Sequence, residues 1–301
     1  MTGAEKGFLL LTSQLGDPDR RPLTVAEFRD LTRRITQLTV RQRSGHVSVR
    51  ELVSVGYSEA FAWQVVSLLQ GEKLLEYYLL QAKKAGCIPI TRASENYPLS
   101  VRKRMGLDSP GVLWTKGDAS LLQRPKVALV GSRDLQSENA AFAEEVGRQA
   151  ARQGYTLVSG NARGADKLAQ NACLRAGGSV ISVVADSLLD CTPAENMLYI
   201  SENSFDAAFS ARRALSRNCV IHTLGYITFV AQAGLRQGGT WDGTEKNLRY
   251  GWSPVYCYAD DSITQRTLVE MGACPICMDQ LENFSALPKP VADIFTMEEI
   301  I

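Results

Sequence analysis

Lys126-Val127-Ala128-Leu129-Val130-Gly131-Ser132-Arg133 is the stretch on which the fold turns. A short apolar run that suits a buried strand ends on a glycine, and polar residues follow it. Toward the C-terminus the same cycle repeats. Residues 137–153 carry a helical pattern that stops at Gly154. Residues 156–158 read as the next strand and open into Ser159-Gly160. A helix over residues 165–176 closes on Gly177-Gly178, ahead of a strand at 179–185. Strand–helix–strand–helix–strand with glycine at each switch predicts an α/β fold, a Rossmann-like doubly wound, mostly parallel sheet. Later strands are expected at residues 228–232 and 255–259.

Toward the N-terminus, Pro89, Pro98 and Pro110 punctuate short apolar stretches between Ile88 and Gly117, an irregular region. Residues 24–84 read as helical. Thr24 followed by Glu27 is a capping-box pattern, and Phe28, Leu31 and Ile35 recur at helical spacing. A second helix is expected from Ser58 to Leu69, and a third over residues 72–84 that stops at Gly86. The domain reading is therefore a small all-α N-terminal module over 1–85, the Rossmann-like domain over 86–280, and a C-terminal extension over 281–301, where Pro288 and Pro290 stand.

Composition bounds the function. With 45% hydrophobic and 22% charged residues the chain is an ordinary globular protein. Its longest apolar runs, such as residues 180–185, fall far short of the roughly 20 residues of a membrane-spanning helix. No basic segment followed by an apolar core marks a secretion signal, so a cytoplasmic protein with no membrane contact is expected. Lys and Arg number 33 against 32 Asp and Glu, so any polyanion must be held by local clustering and not by the overall field. Seven scattered cysteines suit a reducing compartment. Cys274-Pro-Ile-Cys277 is a single CxxC, and His46 and His222 are the only histidines, so neither a metal site nor a cofactor is predicted.

In a doubly wound sheet, ligands bind outside the carboxyl ends of the strands. Three loops fall there: Gly131-Ser132-Arg133, Ser159-Gly160-Asn161-Ala162-Arg163-Gly164, and Arg236-Gln237-Gly238-Gly239-Thr240. Glycine lets the backbone approach a ligand, a helix N-terminus favours an anion, and the planar guanidinium fork suits phosphate. No loop matches the dinucleotide fingerprint or the GxxxxGK[ST] phosphate loop, which disfavours oxidoreduction and ATP hydrolysis. Asp166 opens a helix, where it would cap or orient Arg163. Trp241 is read in a glycine-rich loop, where it would either stack on a base or pack within the loop. Arg102-Lys103-Arg104 and Arg212-Arg213 are clusters that would extend a basic path. No nucleophile–base arrangement is visible, so no catalytic residue is assigned.

These residues also carry a resemblance. Residues 127–133, the run Ser159-Gly160-Asn161-Ala162-Arg163-Gly164-Ala165-Asp166, and Arg217-Asn218 resemble the DNA-processing protein A (DprA/Smf) family, and so does the segment from Tyr97-Pro98-Leu99 through Val112–Gly117. The resemblance covers about residues 75 to 275. It implies a single-stranded DNA-binding protein that is not an enzyme, dimerises, and helps load a recombinase during DNA uptake. The ligand-binding residues carried over are Gly131, Ser132, Arg133, Ser159, Gly160, Arg163, Gly164, Asp166, Arg217 and Asn218, with Gly238, Gly239, Thr240 and Trp241 standing where the family has a Ser-Gly pair. Ala165, Gln170 and Cys219 depart from the family's Ile, His and second Arg, and no winged-helix segment is read at the C-terminus. Two alternatives stay open. The same pocket would hold a small signalling nucleotide in a sensing module, or Asp242 and Glu245 would act on a glycosidic bond in a phosphoribohydrolase.

Overall fold

The computed structural model describes residues 1–35 and 47–288. The helical reading across 36–46, with His46, and the part of the C-terminal extension from 289 to 301 lie outside the described residues. The chain forms two compact units, one of Met1–Tyr97, Pro110–Trp114 and Glu202–Asp206, the other of Pro98–Ser109, Thr115–Ser201 and the chain from Ala207 onward.

The first unit holds α1 (Gly3–Thr12), α2 (Val25–Ile35), α3 (Val49–Ser54), α4 (Glu59–Leu69) and α5 (Glu72–Lys84), followed by β1 (Cys87–Thr91). The expected capping box forms at α2, where the Glu27 amide donates to Thr24 Oγ1 and the Thr24 amide to Glu27 Oε2. Two more boxes, Thr2 with Glu5 and Ser48 with Glu51, start α1 and α3. Leu23, Leu31, Leu52, Ala62, Val65 and Leu68 form a buried core for these helices. Gly86, at φ 71°, follows α5 in the left-handed conformation that ends helices.

The second unit continues with α6 (Leu99–Met105) and β2 (Val112–Gly117), whose last residues belong to it. Then come β3 (Lys126–Val130), α7 (Ser137–Arg152), β4 (Thr156–Ser159), α8 (Ala165–Arg175), β5 (Ser179–Val184) and β6 (Met197–Glu202). After these come α9 (Ala211–Leu224), β7 (Thr228–Val230), α10 (Gly238–Tyr250), β8 (Val255–Tyr258), α11 (Ile263–Glu270) and β9 (Cys274–Ile276). The sheet of this unit runs in the order β6-β5-β4-β3-β7-β8-β9. Each of these neighbours is parallel, with Ala128 opposite Thr228 and Val127 opposite Leu157. Every residue of β4 and β5 is buried, as a parallel sheet covered on both faces requires. Helices α7 and α8 pack together, and so do α9 and α10.

This order has a physical consequence for ligand binding. The chain winds outward from β3 through β4, β5 and β6, then returns to β7 on the other flank of β3. The switch point therefore lies between β3 and β7, and the crevice at their carboxyl ends is the predicted ligand site. No helix among the described residues is long and apolar enough to cross a membrane.

Candidate functional site

A cleft of about 580 Å³ opens at this switch point. Its walls bring together Gly131, Ser132 and Arg133 after β3, Asp166 of α8, Arg217 and Asn218 of α9, and Gly238, Gly239 and Thr240 of α10. Nine of the fourteen residues selected from the sequence thus meet on one surface, from four separate elements.

The centre of the wall is a buried pair. Arg217 Nη2 lies 3.7 Å from Asp166 Oδ2, with the two side chains 11% and 6% exposed. Asp166 is further held by the Ala162 amide at 3.2 Å and by the Ser159 hydroxyl at 3.0 Å. That hydroxyl also lies 2.9 Å from the Leu129 carbonyl, so its single proton serves one of two acceptors. Burial pushes the Asp166 carboxyl above the ordinary carboxylate range, against the pull of Arg217 and of these two donors. Gly160 makes the pair possible. A Cβ there would collide with the Arg217 guanidinium and the Asp166 carboxylate. Behind it, Gln170 donates to the Gly160 carbonyl and to Ser182 Oγ, which is the work of the residue that departs from the family's His.

Gly164 has φ 85°, and a Cβ on it would strike the Ser132 and Arg133 carbonyls, so only glycine fits where the two loops touch. The Ser132 amide and hydroxyl both donate to the Gln232 carbonyl, at 2.9 and 3.2 Å, which anchors the first loop to the segment after β7. Asn218 is buried, and its side-chain amide donates to the Gly239 carbonyl at 2.8 Å. It ties α9 to the first turn of α10. The N-cap of α10, Gln237, makes no side-chain cap hydrogen bond, so the amide end of a 13-residue helix borders the cleft. Such an end carries unsatisfied N–H groups and a positive partial charge.

Several expectations are corrected. Gly238, Gly239, Thr240 and Trp241 stand on a helix and not in a glycine-rich loop. Trp241 is 6% exposed, so its indole is core and not an open stacking platform. Gly243 explains why this segment is helical despite its glycines. It lets α10 approach Asn218 and His222 of α9, and that packing outweighs the glycine propensity. Asp166 engages Arg217 and not Arg163. Arg163 instead pairs with Asp134 at 2.8 Å, with both side chains largely in solvent. It sits at the rim, since Asp134 lines the cleft and Arg163 does not. Arg104 donates to the Thr223 and Gly225 carbonyls at the end of α9, and Arg213 to Ala185 O and Ser201 Oγ. Both guanidiniums are engaged by acceptors within the unit and do not extend a basic path. Asp242 and Glu245 face Lys246 and Arg249 one turn along α10, each at 2.9 Å.

Several lining residues gave no signal in the sequence, Phe209 above all. Phe209, 53% exposed, stands at the cleft in the segment between β6 and α9, where no periodicity or glycine marks it. One turn along the same face of α9 from Asn218, His222 is fully buried and burial pulls it down to about 3, so the imidazole is neutral. Asn247 Nδ2 lies 3.0 Å from its Nδ1 and donates to it, which places the ring proton on Nε2. Among the described residues no group of three or more His, Cys, Asp or Glu side chains is arranged to hold a metal ion.

Comparison with known proteins bears on the same region. Residues 89–273, more than half of the chain, match the family described as DNA recombination-mediator protein A. DNA processing protein DprA of Bacillus subtilis (strain 168) is 30% identical over 116 residues, 38% of this chain and 38% of that protein. Its namesake in Streptococcus pneumoniae (strain ATCC BAA-255 / R6) is 41% identical over 81 residues, 27% of this chain and 28% of that protein. The chain thus matches less than two-fifths of the length of these curated relatives. The X-ray structure of DNA processing protein A from Streptococcus pneumoniae shares the fold, with TM-score 0.59 and 24% identity over 86% of this chain and 96% of that one. DNA processing protein A from Helicobacter pylori, whose structure concerns a unique single-stranded DNA binding mode, gives 0.56 and 25% over 66% of this chain and 93% of that one.

Proposed function

The chain belongs to the DNA recombination-mediator protein A family, and from that premise we propose that its switch-point cleft binds the sugar-phosphate backbone of single-stranded DNA. The observation that carries this reading is the convergence of Arg217, Arg133 and the amide end of α10 on one concave surface. Arg217 is preorganised by Asp166, so little side-chain freedom is lost when a phosphate arrives. Arg133 reaches the same cleft from the opposite loop. Gly131, Ser132, Ser159, Gly160, Gly164 and Asn218 shape the wall, and Arg163 adds charge at the rim. Phe209 takes the stacking part that the sequence assigned to Trp241, because an exposed ring beside a phosphate site offers a sequence-tolerant contact to a base.

The protein is a binding protein on this reading. It passes the bound strand to a recombinase and works as a homodimer in a cytoplasmic setting, as the family resemblance implies. Fluorescence anisotropy with labelled oligo-dT tests the core of the proposal. Arg133→Ala with Arg217→Ala is expected to abolish binding, and wild-type affinity to fall steeply with salt. Wild-type binding by the double variant at low salt would overturn it.

One observation favours a second reading. A cleft of about 580 Å³ is the size of a small-molecule site, and a free nucleotide would place its phosphate at the same helix end. Titration with mono-, di- and cyclic nucleotides against oligo-dT separates the two. Tight nucleotide binding without oligonucleotide binding selects the sensing module. Release of a free base from a nucleoside monophosphate would mark a phosphoribohydrolase.

A further inference from the structure

A second concavity, of about 800 Å³, adjoins the first. Both are bordered by Leu215, Gln237, Gly238 and Gly239, so the amino end of α10 is their common wall. A tight turn stands at the divide. Gly234 and Gln237 close it through a bridge, and between them Arg236 is held at φ 52°. That left-handed conformation is uncommon for a residue with a side chain and persists where surroundings enforce it. Gly234 borders the first cleft, while Arg236 borders only the second. The turn therefore commits a cation to the second cleft, next to the phosphate-binding end of α10.

The remaining lining selects the part of a ligand that fits. Asp242, Glu245 and Glu270 line the second cleft together with Arg236. Asp242 and Glu245 are engaged by Lys246 and Arg249, while Glu270 is exposed. Glu270 repels a phosphodiester from the interior, but a carboxylate accepts hydrogen bonds from the amino group of a base. Leu215 and Met271 offer apolar surface to a ring.

Resting on the reading of the first cleft as a phosphodiester site, we infer that the second cleft receives the base of the adjacent nucleotide, with Arg236 on the phosphate that joins the two. A mononucleotide then fills the first cleft alone, and a dinucleotide is the shortest ligand that fills both. Glu270 favours a base with an exocyclic amino group, such as cytosine, over thymine.

The test is competition against a labelled oligonucleotide by dTMP, pdTpdT and pdCpdC, using the whole chain. Wild-type protein is expected to bind pdTpdT about tenfold more tightly than dTMP, the increment of one charge-assisted phosphate contact. Arg236→Gly, which keeps the left-handed turn without strain, is expected to remove that increment and leave dTMP unchanged. Glu270→Gln is expected to weaken pdCpdC relative to pdTpdT. Equal binding of pdTpdT by wild type and Arg236→Gly, or no preference of wild type for pdTpdT over dTMP, would overturn the inference. Indifference of all three ligands to Arg217→Ala would instead remove the first cleft as the phosphate site.

Discussion

Two arginine–aspartate pairs flank the switch-point cleft, and they differ in almost every physical respect. Arg217 and Asp166 join α9 to α8 within the wall, with side chains 11% and 6% exposed. Arg163 and Asp134 meet at the rim with side chains 76% and 88% exposed, at the shorter distance of 2.8 Å. Distance alone would rank the rim pair higher. Burial reverses the order, because a charge removed from water depends on its partner, whereas an exposed charge is already solvated and screened. The inner pair therefore fixes where a guanidinium points. The outer pair contributes a charge that is free to re-aim.

The sharpest way to break this contrast is Asp166→Ala. Removing the buried carboxylate beside the Arg217 guanidinium is expected to lower stability by about 3 kcal/mol, read as a drop in the urea midpoint, and to weaken oligo-dT binding with it. An unchanged midpoint would mean that the inner pair is no more demanding than the outer one.

A graded effect, spread over the acid range instead of present at every pH, is expected from His222, one turn along α9 from Asn218. Its folded value of about 3 lies below the ordinary 6.5, so the unfolded chain binds a proton between these values and the folded chain does not. The contribution is complete above pH 6.5 and is lost as pH falls toward 3, with a slope of up to about 1.4 kcal/mol per pH unit. Denaturant midpoints measured between pH 7 and pH 4 check this, and His222→Gln should flatten the profile.

The smallest change is expected at the rim. Arg163→Ala should shift stability by less than about 1 kcal/mol and reduce oligo-dT affinity mainly at low salt, where long-range attraction is unscreened. A loss of binding in Arg163→Ala equal to that in Arg217→Ala would remove the distinction between wall and rim.

Legibility from the sequence followed the range of the interactions. The β3, β4 and β5 strands and the helices between them were readable because an apolar run, a helical period and a glycine are all local signals. Ser58 and Thr24 marked the starts of α4 and α2 for the same reason. The N-terminal boxes at Thr2 and Ser48 carry an equal local signal. By contrast, the segment opening α10 has three glycines within six residues and read as a loop. Its helical state depends on Gly243 lying against α9, a contact about twenty residues away in sequence. β6 and α9 also escaped the pattern reading, and with them the exposed ring of Phe209.

By itself, the sequence determined that a glycine follows β3 and β4 and that an arginine stands within three residues of each glycine, which with the alternating helices is enough to specify a parallel sheet and the edge where a ligand binds. Only the tertiary structure decided which arginine is buried, which carboxylate holds it, and that Trp241 turns inward while Phe209 faces the cleft. The physical reason is that backbone conformation is set by neighbours within a few residues, whereas burial and charge pairing arise between elements that meet only once the sheet has been wound.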